Sequence, residues 1–253
     1  MQIDLSSKTA VVTGATGELG RTLIRTLASC GADVAIHFHS NRARAEELSA
    51  EVEKMGRKTM TFGADVTQEK QVLALRDAVV TELGAPDIIV TNAVIQYGWR
   101  TVLEQSATDY DSQFRSCVLH NVFMAQAFIP TMIEKGNGRV IAINTECSMQ
   151  NHPSQSAYVS GKRGMDGVLR VLAREVGEHG ITVNQVAPGW TISEKDRQSG
   201  TEKQEFYERN VPLRRRGQDQ DIANAVAFLA SDLAAFITGV YLPVCGGNVM
   251  PSI

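Results

Sequence analysis

Val11-Val12-Thr13-Gly14-Ala15-Thr16-Gly17-Glu18-Leu19-Gly20 joins a short apolar run, Thr9–Thr13, to a stretch with helical spacing, Gly20–Ser29. Its glycines let the backbone turn tightly and approach a pyrophosphate, and a helix opening there offers unpaired N–H groups and a positive dipole end to the anion. Many βα turns use glycine only for packing. This one directly follows the first strand and opens a helix, which is the context a dinucleotide site requires. It is therefore read as a dinucleotide-binding turn, with Gly14, Thr16, Gly17, Leu19 and Gly20 around the phosphates.

Six further β-branched or apolar runs follow, at Val34–Phe38, Lys58–Gly63, Asp87–Thr91, Arg139–Asn144, Thr182–Ala187 and Val240–Val244. Helical spacing, with many Ala, Leu, Glu and Arg residues, fills Arg42–Met55, Glu69–Leu83, Tyr110–Glu134, Ala157–Glu178 and Gln220–Ser231. Strands alternating with helices imply right-handed βαβ crossovers and a parallel sheet covered on both faces. The expected fold is α/β, a single-domain doubly wound (Rossmann) parallel sheet of about seven strands with helices on both faces. Residues 1–253 are read as one dinucleotide-binding and catalytic unit. The polar, charged segment 190–216 interrupts the alternation late; an irregular stretch of that length is unusual unless functional, so it is read as a substrate lid.

Length and composition exclude several classes. A chain of 253 residues, 43% hydrophobic, buries a sizeable core without disulfides or structural metal. A net charge of −3 argues against a nucleic-acid partner. The four cysteines, Cys30, Cys117, Cys147 and Cys245, form no CxxC pair and no zinc-spaced cluster with histidine, so no metal is expected and the thiols are read as reduced. The first residues lack the pattern of a signal peptide, and no continuous apolar run approaches the ~18 residues that would span a bilayer. No membrane association is expected, and the compartment is read as cytoplasmic.

Tyr158-Val159-Ser160-Gly161-Lys162 begins a helical stretch, and spacing i, i+4 puts Tyr158 and Lys162 on one face. An ammonium near a phenol favours the phenolate and suits the pair to proton transfer at neutral pH. Upstream, Thr145 ends the run Arg139–Asn144 and can bring a hydroxyl to the same place.

With these residues in view, the chain resembles the short-chain dehydrogenase/reductase family over essentially its whole length. The matching pieces, in order, are the Thr13-Gly14 loop, Ala64-Asp65-Val66, Asn92-Ala93, Tyr158-xxx-Lys162, Val183-Asn184, Pro188-Gly189, Thr238-Gly239 and Gly246-Gly247. The resemblance implies oxidation of an alcohol or reduction of a ketone with NAD(H) or NADP(H). It also implies a homo-oligomer, a tetramer or alternatively a dimer, with Tyr110–Glu134 and Ala157–Glu178 in a four-helix interface. By the same resemblance Tyr158 is the acid/base, Lys162 binds the nicotinamide ribose and tunes the tyrosine, and Thr145 stands where a serine hydrogen-bonds the reacting oxygen. Asp65 and Val66 fall beside the adenine, Asn92 and Ala93 beside the adenosine ribose, and Pro188, Gly189 and Thr191 along the nicotinamide.

The chain departs from the family pattern in four places. Glu18 occupies a usual glycine position in the phosphate loop and is expected to point to solvent; Val94 replaces another glycine. Cys117 falls where an asparagine completes the family's proton relay, and a thiol cannot copy an amide's paired donor and acceptor. Thr145 is followed by Glu146 and Cys147 where small residues are usual. These changes leave a non-catalytic NADP(H)-binding regulatory protein as an alternative, but the retained trio of Tyr158, Lys162 and a hydroxyl at 145 favours the enzyme.

The cofactor is read as NADP(H), with NAD(H) as the alternative. Phe38 aligns with the acidic residue that accepts from the ribose 2′-hydroxyl in NAD-preferring members, while His39, Ser40, Asn41 and Arg42 offer groups for a 2′-phosphate. Gln96, Tyr97, Trp99, Glu146, Cys147, His152 and Trp190 are candidates for the substrate pocket. That mixture fits a small polyhydroxylated or acidic alcohol better than a steroid, with a 3-oxoacyl thioester as a further alternative.

Overall fold

The computed structural model describes residues 3–251. The chain runs β1 (Thr9–Val12), α1 (Glu18–Ser29), β2 (Asp33–Phe38), α2 (Arg42–Lys54), β3 (Thr59–Gly63), α3 (Glu69–Leu83) and β4 (Ile88–Thr91). It continues through α4 (Ala107–Gln113), a π-helical turn (Phe114–Leu119), α5 (His120–Lys135), β5 (Gly138–Ile143), α6 (Cys147–Gln150), α7 (Ser156–Val176) and β6 (Ile181–Pro188). Last come β7 (Thr191–Ile192), α8 (Glu194–Ser199), α9 (Glu205–Glu208), β8 (Gly217–Gln218), α10 (Asp219–Ala230) and β9 (Tyr241–Val244). Seven strands form one parallel sheet in the order β3-β2-β1-β4-β5-β6-β9, while β7 and β8 pair with each other. Pro243, which lacks a ladder donor, is tolerated because β9 is an edge strand.

Alternation along the strands splits the core into two layers. Ala10 and Val12 face one side with Val34, Ile36, Leu23, Ile24, Leu27 and the apolar face of α10. Val11 and Ala35 face the other with Val72, Leu75, Phe128, Met165 and Leu169. The continuous helical run Ala107–Lys135 is, by length and composition alone, long and apolar enough to cross a membrane. Here it packs on the sheet, placing Met124, Ala127 and Phe128 in the second layer.

The strand order reverses at β1, between β4 and β2, so the carboxyl ends of β1 and β4 open a crevice at the topological switch point. The polar stretch after β6 contains β7, α8 and α9 instead of remaining an irregular loop.

Candidate active site

The phosphate loop is held open from below. Gly14 has φ +62°, and a Cβ there would come 2.9 Å from the Ala93 Cα, so this turn needs glycine for both conformation and space. Its N–H donates to His37 Nδ1 at 3.0 Å, and His37 Nε2 lies 2.9 Å from the Ala64 carbonyl. A backbone N–H can only donate, so Nδ1 is the acceptor and Nε2 carries the proton. Burial lowers the His37 pKa to about 4, which keeps the ring neutral. Asn92 donates to the carbonyls of Thr13 and Gly14, both at 3.1 Å, tying β4 to β1. Gly17, the residue before α1, gives no side-chain cap, so the first N–H groups of that twelve-residue helix remain available to an anion.

A cavity of about 540 Å³ spreads over this loop. It gathers Gly14, Thr16, Gly17, Leu19, His39, Ser40, Asp65, Val66, Asn92 and Ala93. Gly20 lies behind, where a Cβ would strike the Gly14 carbonyl. Asn41 spends its side chain capping α2 through the Arg44 N–H, and Arg42 lies over the Phe38 ring and near Glu46. Neither residue lines the cavity. Phe38 points into the core, 4% exposed. Glu18 is half-exposed but does more than face solvent: it accepts from the Glu194 N–H at 2.7 Å, which ties α1 to α8.

A second cavity of about 610 Å³ meets the first at Ile95 and Gln96. Tyr158, Thr145, Gly189 and Thr191 line it, as do the sequence-read candidates Gln96, Tyr97, Trp99, Glu146, Cys147, His152 and Trp190. Pro188 ends β6 beside it. Lys162 lies buried under this floor, its Nζ donating to the Ile143 carbonyl at 2.5 Å and standing 5.8 Å from the Tyr158 ring centre. The helix carrying both residues can pass close to α4 because residue 161 is glycine; a Cβ there would come 2.9 Å from the Gln113 carbonyl.

Side chains absent from the sequence reading fix these groups. Tyr97, read only as a pocket residue, accepts the Tyr158 N–H at 2.8 Å. Asn144 accepts the Thr145 N–H at 2.9 Å and donates to Gln185 at 2.7 Å, while Tyr241 donates to the Thr145 carbonyl. Burial raises the Tyr158 pKa, the nearby Cys147 and Cys117 thiols add to that, and the Thr145 side chain acts against them. Burial also lowers Lys162. The sequence argument expected Lys162 to pull the phenol down; instead both groups are desolvated, and the ammonium is directed at a carbonyl. Cys117 sits in the π-helical turn, 1% exposed and 4.0 Å from Gln113 Oε1, and Asn121 donates to its carbonyl at 2.7 Å.

The segment 190–216 is organised around Arg216, whose side chain is fully buried. Its guanidinium donates to the carbonyls of Trp190, Thr191, Thr201 and Glu202 and to Asp196 at 2.9 Å, and stacks 4.6 Å from the Trp190 ring. From this segment Tyr207 donates to Glu146 at 2.8 Å and accepts from the Trp190 N–H at 2.9 Å. Among the described residues no cluster of His, Cys, Asp and Glu has metal-holding geometry.

With this geometry in place, comparison with known proteins is decisive. A family model described as enoyl-(acyl carrier protein) reductase matches residues 14–248. The chain belongs to the short-chain dehydrogenase/reductase family. It is 34% identical over 244 residues to the 3-oxoacyl-(acyl-carrier-protein) reductase of Staphylococcus aureus, covering 96% of this chain and 99% of the relative. It is 32% identical over 246 residues to the L-rhamnose 1-dehydrogenase (NAD(P)(+)) of a Sphingomonas species, covering 96% of each. Among solved structures, a 7α-hydroxysteroid dehydrogenase complexed with NADH and 7-oxo glycochenodeoxycholic acid superposes with a TM-score of 0.89 at 29% identity, covering 98% of this chain and 96% of that one. NAD+-bound xylitol dehydrogenase superposes with a TM-score of 0.89 at 27% identity, covering 96% and 99%. This family member is an oxidoreductase with the family's doubly wound sheet.

Proposed function

We propose that the protein interconverts a secondary alcohol and a ketone on a small polar substrate, with NADP(H) as preferred cofactor. The observation that carries this reading is the junction of the two cavities: an uncapped helix N-terminus and glycine loop open one, and Tyr158 with Thr145 lines the other. The residues around the crevice fit a dinucleotide, with unpaired α1 amides for the pyrophosphate and the buried Lys162 ammonium, held by one carbonyl, for ribose hydroxyls. When bound, the nicotinamide supplies or accepts the hydride.

This chain's residues then bind, orient and move a proton. Tyr158 Oη and Thr145 Oγ1 hold the substrate oxygen. A phenol whose pKa is raised by burial keeps its proton at neutral pH and delivers it to the oxygen of a ketone as charge develops there. In alcohol oxidation the same phenol, deprotonated with Lys162 below it, takes the proton back. Residues 190–216 close over the substrate within a single catalytic unit of residues 1–253.

We further place the protein in the cytoplasm as a homotetramer, with a dimer as the alternative. The free state of its four cysteines supports a reducing compartment. An apolar groove between α5 and α7, lined by Val122, Val168 and Val171, supports self-association through those helices. Assaying nucleotide absorbance with NADPH or NADH and a panel of ketones and alcohols tests the activity. Tight nucleotide binding without any turnover would instead mark the regulatory alternative.

A further inference from the structure

Among the described residues, Glu146 is the one acidic side chain lining the substrate cavity. Glu146 is 3% exposed, and no lysine or arginine lines the space around it. Each carboxylate oxygen has one neutral partner: Oε1 accepts from Tyr207 at 2.8 Å and Oε2 from Asn248 at 3.0 Å. Each oxygen keeps further accepting capacity.

Glu146 adjoins the reacting groups. It directly follows Thr145, and because the chain bends there from β5 into α6 with φ −59° and ψ −28°, the two side chains line the same cavity instead of alternating across a strand. A substrate oxygen held between Tyr158 and Thr145 therefore shares its cavity with the Glu146 carboxylate. Trp190, Phe206 and Tyr207 add flat apolar faces to the same cavity, on which a carbon skeleton packs.

We propose that Glu146 is a specificity-determining residue that selects a neutral polyhydroxylated substrate, a sugar or alditol, by accepting a hydrogen bond from a hydroxyl beside the reacting carbon. The inference rests on the dehydrogenase reading above and narrows it. An acidic alcohol, one of the sequence-level expectations, brings its carboxylate against Glu146 with no lysine or arginine lining the cavity to receive it. A 3-oxoacyl thioester offers Glu146 no donor. An ammonium-bearing alcohol would also satisfy Glu146, but the burial that raises the Glu146 pKa equally penalises bringing an ammonium there.

The test compares C4–C6 alditols, aldoses and cyclohexane-1,2-diol with their counterparts lacking the hydroxyl next to the reacting carbon, with NADP⁺ and NAD⁺ in parallel. A matched amino alcohol and a 3-hydroxybutyryl thioester complete the set. In the unmodified enzyme kcat/KM should favour the diol member of a pair by about 10–100-fold, the worth of a hydrogen bond to a charged acceptor. That ratio should shrink in Glu146→Gln. Three results each overturn the inference while leaving the dehydrogenase reading intact: equal turnover of diol and mono-alcohol by the unmodified enzyme, faster turnover of the amino alcohol or thioester, or an undiminished ratio in the variant. Nucleotide binding without turnover of any compound overturns the dehydrogenase reading itself. The unmodified-enzyme comparison stands even if a variant fails to fold.

Discussion

The backbone N–H of Gly14 donates to Nδ1 of His37 across 3.0 Å, so the phosphate loop rests on a neutral buried histidine of the neighbouring strand. Protonating that ring removes the acceptor and leaves two N–H groups facing each other. The pKa of His37 in the folded chain, about 4, lies below its ordinary 6.5. Its contribution to stability is therefore complete above pH 6.5 and is lost as pH falls from 6.5 towards 4. His120, lowered by burial to about 3, adds a second such group over a wider acid range. Urea midpoints should fall across this interval. His37→Leu should reduce the slope and, by orphaning the Gly14 amide, cost about 1–3 kcal/mol near neutral pH. A variant with the same pH slope as the parent would rule out this account.

Tyr158→Phe should cut kcat by about 10²–10⁴-fold, the usual worth of general acid/base catalysis, while nucleotide affinity stays near that of the parent. Phenylalanine keeps the ring, and the 2.8 Å bond from the residue-158 amide to Tyr97 does not depend on the lost hydroxyl. Near-normal turnover would remove Tyr158 from the mechanism.

Cys117→Ala should change turnover by less than about threefold, because among the described residues the thiol's one hydrogen-bond contact is Gln113 Oε1 at a weak 4.0 Å. The expected loss of stability is about 1 kcal/mol for a small buried group. Asn121, one turn on, donates to the Cys117 carbonyl, a backbone bond that does not depend on the thiol. A large drop in kcat would show the thiol to be part of the chemistry.

Arg216→Lys should loosen residues 190–216. An ammonium cannot reproduce the planar fork that serves four carbonyls and Asp196 at once. The Asp196 pKa is held well below the usual carboxylate range by the Ser193 amide and then by Arg216, so that carboxylate stays charged and loses a partner. We expect faster proteolysis within the segment and a rise in KM larger than the fall in kcat, with nucleotide affinity little changed. An unchanged proteolysis rate would mean that the segment is held by other contacts.

The sheet strands and the long helices were legible because central strands of a parallel sheet are apolar on both faces and long helices carry a 3.6-residue stripe; the seven sheet strands fall within a residue or two of the runs read from sequence, whereas the short helices α6, α8 and α9 were not read. Gln96, Tyr97, Trp99, Glu146 and Trp190, candidates for the substrate pocket from sequence, line one cavity. What could not be read were polar contacts between segments far apart in the chain. Nothing near His37 in sequence announces a bond to Gly14, and nothing near Glu146 announces Tyr207 and Asn248. Arg216 looks like one more charge in a basic Arg214-Arg215-Arg216 run until its four carbonyl partners are seen. Side-chain direction was equally hidden: Phe38 and His39 are neighbours, yet one is core and the other lines the crevice.

That last difference decides how cofactor preference should be tested. Phe38 is the aligned position for an acidic partner of the ribose 2′-hydroxyl, but its ring is buried among Ile36, Ala45 and other core residues. Phe38→Asp would put a carboxylate into an apolar layer and destabilise the fold, so a lost activity would say nothing about the cofactor. His39 and Ser40 instead line the crevice. Arg42, 71% exposed at the start of α2, is held only by a 3.7 Å approach to Glu46 and by the Phe38 ring, both weak at an exposed site, so its guanidinium can turn to a 2′-phosphate. NADPH should therefore bind tighter than NADH by about 10–100-fold, the worth of a charge-assisted hydrogen bond. Arg42→Ala should erase most of that margin by weakening NADPH alone. His39→Asp should reverse it, because a carboxylate accepts from a 2′-hydroxyl and repels a phosphate. Separate fluorescence titrations with the two nucleotides measure all three effects, and tighter binding of NADH to the unmodified protein would refute the preference for NADP(H).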